Sequence, residues 1–366
     1  MNYEEALQQC IRAVRPLDAA AVEAATRRQA GLAKPPGSLG KLEDISIRLA
    51  GITGKVRNTI EKKRIVVLCA DNGVVEEGVS SAPRSVTVAQ AMNMTRYKTG
   101  MSSLAKHFGN QVVVVDVGIA DPYDNPLILN RNIRKGTRNL LHEPAMTREE
   151  TLRAILTGID LARAAAREGV QALGVGEMGI GNTTTSSAVL SVLTGLPVEQ
   201  LTGRGGGLTD AAFAHKKQVI TEAISLHNPN PDDPVAVLSA VGGLDLAAMA
   251  GVFLGAAEQR VPVVVDGFIS TVAALCAARL CPDAKEYMFP SHSSVEIGTR
   301  RAASELGLDP WLDMNMRLGE GSGCPLAFEI LSAACAVMNN MALFGEEAHI
   351  DDGYLEEIRQ GDKFSV

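Results

Sequence analysis

Cysteine and aromatic residues are scarce in this chain. Six cysteines are spread over 366 residues with no Cys-x-x-Cys pair, which excludes a disulfide framework and the ligand spacing of a structural zinc site. Cys69 and Cys335 fall in apolar stretches and read as small buried hydrophobes. Reduced thiols and a cytoplasmic setting are expected. Phe, Trp and Tyr make up 4%, too few for the stacking platforms of single-strand nucleic-acid binders. Positive charge is short as well. With 35 Lys and Arg against 42 Asp and Glu the net charge is -7, where a polyanionic partner calls for a basic face. No apolar run approaches the roughly 18 residues of a membrane span. The opening Met1–Leu7 lacks the basic-then-apolar pattern of a secretory signal. The expectation is no nucleic-acid partner and no membrane partner.

What the chain does have is glycine, 35 residues in all, and short apolar runs that alternate with longer helical patterns. The clearest runs are 64–70, 111–116, 171–175 and 261–266, with a weaker fifth at 286–290. Helical periodicity covers 86–107, 148–168, 184–194, 209–227, 243–258, 268–280 and 294–306. This alternation predicts an α/β fold, a Rossmann-like and mainly parallel sheet with helices on both faces. Segments 3–30 and 41–53 are helical, and 325–344 is a long apolar helix without an intervening strand. They predict a small helical domain built from residues 1–60 and 325–366, beside a large α/β domain over 61–324 that carries the site. Four apolar runs end in polar or glycine-rich turns: Asp71-Asn72-Gly73, Asp116-Val117-Gly118, Gly176-Glu177-Met178-Gly179 and Asp266-Gly267. Ligands bind outside the carboxyl ends of such strands, so a site is expected there.

Two loops suit an oxyanion. Gly203-Arg204-Gly205-Gly206-Gly207 precedes a helix, and so does Gly179-Ile180-Gly181-Asn182 followed by five hydroxyl residues. Glycine lets a ligand approach the backbone amides, and a helix start favours negative charge. The bland alternatives are a flexible connection and a generous N-cap. Neither loop has the Gly-Lys-Ser/Thr of a nucleoside-triphosphate loop, so a single phosphate is implied. Lys216, in the next helix, is either a charge for that phosphate or a solvated surface lysine beside Lys217. Glu177 follows an apolar strand directly, and Glu320 lies between two glycines. A carboxylate in apolar surroundings has a raised pKa and can act as a base near neutrality. For each, an N-cap or a buried ion pair is the competing reading. His292, in Ser291-His292-Ser293-Ser294, invites a Ser-His-Asp reading that lacks a nucleophile elbow elsewhere. Asp351-Asp352-Gly353 reads as a solvated turn.

Taken in order, several segments resemble the nicotinate-nucleotide–dimethylbenzimidazole phosphoribosyltransferase family. They are Lys34–Glu43, Ala70–Val74, Val86–Met94, Val115–Gly118, Gly176–Gly179 with Asn182–Thr184, Asp266–Phe268, Ser291–Ser294 and Met316–Gly323. The resemblance implies transfer of a 5-phosphoribosyl group from nicotinate mononucleotide to 5,6-dimethylbenzimidazole, for the lower ligand of cobalamin. It implies a homodimer and neither cofactor nor metal. By resemblance Glu320 is the catalytic base and Glu177 the second active-site glutamate. Gly179, Asn182, Gly205, Lys216, Gly267, Ser294 and Arg317 serve phosphate and ribose, and Ala82, Gln90 and Leu318 line the acceptor pocket. By that resemblance Asn72 stands where many members have His and Ala82 where some have Ser, and both are assigned to the acceptor side. Adenine, another benzimidazole or a phenol is the alternative acceptor. A hydrolase or a non-catalytic nucleotide-binding subunit is the alternative function.

Overall fold

The computed structural model describes residues 2–345 and 347–353. Its helices are α1 (Tyr3–Ala13), α2 (Ala19–Gly31), α3 (Lys41–Thr53), α4 (Val86–Thr95), α5 (Gly100–His107), α6 (Arg148–Arg167) and α7 (Asn182–Thr194). There follow α8 (Val198–Leu201), α9 (Asp210–His227), α10 (Pro234–Val241), α11 (Leu244–Glu258), α12 (Phe268–Leu280), α13 (Ile297–Leu306) and α14 (Cys324–Asn340). The strands are β1 (Lys63–Ala70), β2 (Gln111–Gly118), β3 (Ile128–Asn130), β4 (Ala172–Met178), β5 (Val263–Val265) and β6 (Met288–Pro290). They form one sheet in the order β3-β2-β1-β4-β5-β6, and every neighbouring pair is parallel. β1 and β4 are buried along nearly their whole length, as expected of strands covered on both faces.

By compactness the chain divides into a large unit, Met1–Arg15 with Lys62–Ala327, and a small one, Pro16–Glu61 with the segment from Phe328 onward. The large unit holds the whole sheet. The sequence reading assigns all of 1–60 to the small unit, but α1 belongs to the large one. It packs on α6 and α11, with Cys10 fully buried and close to Arg163 and Glu258. Pro16 has no N–H to continue a helix and disfavours helical backbone before it. The continuous helix expected over 3–30 therefore breaks, and Asp18 caps α2 through the Ala21 N–H at 2.9 Å. The small unit centres on Ala21, Ala25, Ala50 and Met338. There the Lys34–Glu43 segment is closed by an ion pair between those two end residues at 2.8 Å.

Other differences have local causes. The helix expected over 86–107 is two, because Tyr97 turns left-handed with φ 57° and Thr99 caps α5 with a reciprocal Ser102 bond. β3 and α10 were not expected. β3 is three residues with one buried side chain, too short for a period. α10 starts with a proline at its first position and is capped by Asp233, inside a stretch whose Asn, Pro and Asp read as loop.

The chain runs outward from β1 to β3 on one side and from β4 to β6 on the other. The switch point lies between β1 and β4, where a crevice forms at the strands' carboxyl ends. The turns after β1, β4 and β5 converge there.

Candidate active site

At this switch point lies a cleft of about 260 Å³. Glu177 is the penultimate residue of β4 and is 7% exposed. Its Oε1 accepts from the backbone N–H of Glu320 at 3.2 Å, and its Oε2 accepts from the side-chain amide of Asn182. Burial pushes the Glu177 carboxyl up to about 8, and the carboxylate of Asp245 adds to the effect.

Glu320 enters the cleft from a loop of three left-handed residues, Gly319 (φ 81°), Glu320 (φ 62°) and Gly321 (φ 88°). For a non-glycine residue that backbone is strained. The Asp266 carboxylate, just past β5, holds the loop by accepting from the N–H groups of Gly321 at 3.0 Å and Gly323 at 2.6 Å. On the strand side Gly176 makes room, since a Cβ there would lie 2.2 Å from the Glu320 carbonyl oxygen. Glu320 Oε2 accepts from the Met101 N–H at 3.2 Å, at the start of α5. Burial raises the pKa of its carboxyl against the lowering effect of bonds from Thr99 and Met101.

The glycine-rich turns supply bare helix ends. α7 begins after Gly181 and α12 after Gly267, and neither has a side chain capping its first N–H groups. The generous N-cap considered for the hydroxyl run is therefore not what forms at α7. By contrast, Thr147 and Thr209 do cap α6 and α9, which do not border the cleft. Two unfilled helix starts on one cleft make an anion site.

Of the residues singled out in the sequence, Glu177, Glu320, Gly179, Asn182, Gly205, Gly267, Ser294, Arg317, Ala82, Gln90 and Leu318 all line this cleft. Two do not. Lys216 is 1% exposed and stands behind the lining, donating to Thr183 Oγ1 at 2.9 Å and the Gly203 carbonyl at 3.2 Å. It is neither a solvated surface lysine nor a direct wall of the cleft. Burial lowers its pKa to about 8, with Glu296 acting the other way. Asn72 is buried beside the Ile180 carbonyl, 3.4 Å from its Nδ2, and borders a separate polar cavity with Asp71, Arg84 and Lys135. It stands behind Gly179 and Gly181 and is not itself part of the lining, which the chain after β1 reaches only from Ser80 onward.

The arrangement at His292 is not a hydrolytic triad. Ser291 Oγ at 3.1 Å and Asp266 Oδ1 at 3.7 Å both face the same ring nitrogen, Nδ1, so no proton path from serine to carboxylate runs through the ring.

Sequence reasoning missed Asp245. It is completely buried at the start of α11, where Oδ2 accepts from Asn182 Nδ2 at 3.1 Å. The signal was present: Asp245 is the single charged residue between Leu244 and Ala257. Thr183 and Glu296, also in the lining, were passed over too.

A family model described as Phosphoribosyltransferase matches residues 14–350. A nicotinate-nucleotide–dimethylbenzimidazole phosphoribosyltransferase of Clostridium perfringens is 52% identical over 360 residues, 98% of this chain and 99% of the relative. The chain belongs to the nicotinate-nucleotide–dimethylbenzimidazole phosphoribosyltransferase family. The relative of that name from Chloroflexus aggregans is 49% identical over 341 residues, covering 93% of this chain and 97% of its own length. In three dimensions the crystal structure of the Thermus thermophilus phosphoribosyltransferase of that name superposes with a TM-score of 0.86 at 39% identity. The match covers 92% of this chain and all of that one. The cleft described above lies wholly inside the matched region of this family.

Proposed function

We propose that this protein transfers the 5-phosphoribosyl group of nicotinate mononucleotide to 5,6-dimethylbenzimidazole, giving α-ribazole 5′-phosphate and nicotinate. The observation that carries the reading is the meeting of two buried carboxyls with two uncapped helix starts in one cleft. A monophosphate fits the helix starts of α7 and α12, with Ser294, Gly205 and Thr183 around it. Lys216 braces Thr183 and the Gly203 carbonyl from behind and adds its charge to the field there. Ala82, Gln90 and Leu318 take the flat azole, and Arg317 guards the opening.

The chemistry asks for one base. Nicotinate bonded through its ring nitrogen is a pyridinium-type leaving group and departs without a proton. The azole must lose its N–H proton as its other nitrogen attacks C1′, and Glu320, buried and with a raised pKa, takes it. Attack from the face opposite the leaving group turns β into α at the anomeric carbon. Glu177 orients the sugar and its neighbours. Holding both substrates in line supplies much of the acceleration. The working form we propose is a cytoplasmic homodimer.

The test is incubation of purified protein with both substrates, with products resolved by chromatography and mass, beside Glu320→Gln. Wild type should form the ribazole phosphate, and the variant should lose roughly 100-fold to 10,000-fold in rate. Release of nicotinate without an azole product from any acceptor would sink the transferase reading.

A further inference from the structure

Behind the cleft wall the Glu177 carboxyl has a neighbour that the reaction above does not use. Asn182 Nδ2 donates to Glu177 Oε2 and, at 3.1 Å, to Asp245 Oδ2. One amide thus bridges two carboxyls, one on β4 and one on α11. Both are buried, Asp245 completely. Two carboxylates in so dry a place cannot both ionise without a cation. The titratable groups around them supply none at close range. Cys69 on β1 is a buried thiol, Asp266 past β5 is acidic with His292 as its own partner, and Glu320 faces Glu177 through its backbone N–H. Arg317 is exposed at the cleft mouth, and Lys216 is engaged with Thr183 and Gly203.

We propose that Asp245 is the positioning residue of Glu177: the two carboxyls share the Asn182 amide and hold between them one proton, which sits on Glu177 at neutral pH. The geometry decides which of the two keeps it. Asp245 occupies the first turn of α11, where the helix dipole favours an anion, and its Oδ1 accepts from the Leu246 N–H at 2.9 Å. The Asn72 side chain adds a further bond to the Asp245 carboxyl. Glu177 stands near the end of strand β4, outside any helix, and accepts one backbone N–H, that of Glu320. The proton affinities follow the same order, with burial raising Asp245 to about 6 and Glu177 to about 8. Asp245 therefore fixes both the rotamer and the charge of Glu177. The sugar meets a neutral acid that can donate a hydrogen bond, and the anionic charge stays one residue deeper. A Cβ on Gly179 would lie 2.6 Å from Asp245 Oδ2, so the loop that passes between Asp245 and the cleft must carry glycine.

This inference deepens the functional reading above, yet its first test needs no turnover. Infrared titration of the ligand-free protein reads protonated carboxyls directly. Wild type should show a protonated-carboxyl band at pH 7 that disappears near pH 8 and is missing from Glu177→Gln. In Asp245→Asn, checked for an unchanged thermal transition, its midpoint should fall by about one unit or more, a tenfold loss of proton affinity. A wild-type protein in which Glu177 has no such band at pH 7 overturns the proposal, and so does an unmoved midpoint in Asp245→Asn. In the transfer assay Asp245→Asn should shift the limb of the pH–rate profile by the same amount. Absence of transfer in wild type with the titration intact would defeat the reaction assigned above and leave the Asp245 pairing standing. Normal transfer with an unmoved midpoint would do the reverse.

Discussion

Glu320 keeps a left-handed backbone that costs an ordinary residue about 1–2 kcal/mol, between two glycines that adopt it freely. The strain persists because Asp266 grips the N–H groups on its C-terminal side and Gly176 lets the loop rest against β4. Gly176→Ala is therefore expected to displace the Glu320 carbonyl and with it the carboxyl. A shift of that kind should cost roughly 100-fold in turnover, while circular dichroism stays that of the folded protein. An unchanged rate in Gly176→Ala would show that the loop need not touch the strand. At this scale the sequence reveals much of the lining. Glu177 and Glu320 stand out by apolar and glycine neighbours, and eleven of the thirteen residues singled out line one cleft. Lys216 and Asp245 show where such reading stops. Whether a lysine is buried, or which amide a carboxyl shares, depends on contacts between α9 and the 203–207 loop, or among β4, α7 and α11. No local pattern records such contacts.

Among the elements, α6 and α11 pack backbone against backbone. A Cβ on Gly158 would lie 1.9 Å from the Ala248 carbonyl oxygen, and one on Gly251 would lie 1.9 Å from that of Ile155. The two backbones touch, so even a methyl group must push the helices apart. Gly158→Ala should lower the unfolding free energy by about 1–3 kcal/mol or more, read by urea titration. It should also reduce turnover, because α11 presents Asp245 to Asn182 at its N-terminus. Full stability in the alanine variant would refute the close contact. Long periodic helices and buried strands were legible because their patterns repeat. The breaks at Pro16 and Tyr97, the short β3 and the proline-led α10 were not, since a handful of residues carries no period and neighbouring structure decides them.

For the molecule as a whole, the buried acids set a pH trend. Glu177 is raised from 4.5 to about 8 and Asp245 from 3.8 to about 6, and burial also raises Asp71, Asp266 and Glu320. An acid with a raised folded-state pKa contributes stability in full below its ordinary value and loses it as pH climbs through the raised one. The heat resistance these acids contribute to the ligand-free protein should thus decline as pH rises above the ordinary values of 3.8 and 4.5, with several degrees lost by about pH 8. A flat profile over that range, measured by calorimetry, would contradict the burial of these groups. Lys216 has the opposite sign. Its folded-state pKa is lowered from 10.5 to about 8, so its contribution is present above the ordinary value and lost as pH falls through the lowered one. A bound phosphate favours the charged lysine. Nucleotide affinity should therefore weaken as pH rises above about 8, with proton uptake on binding near and above that pH. Calorimetric titration in two buffers of different ionisation enthalpy checks this, and binding without proton exchange near pH 8 would remove Lys216 from the phosphate's field.

The scattered cysteines have a further use. All six are buried and none is in a disulfide. Burial pushes Cys10 and Cys276 up to about 12 and raises Cys69, Cys281 and Cys324 as well, so these five offer a maleimide almost no thiolate, and Cys335 is shielded by its burial. Each thiol becomes reactive only when the structure around it opens. Cys335 belongs to the small unit and the other five to the large one. Peptide mapping after a timed alkylation pulse would then clock the opening of each unit separately, with a label the chain already carries.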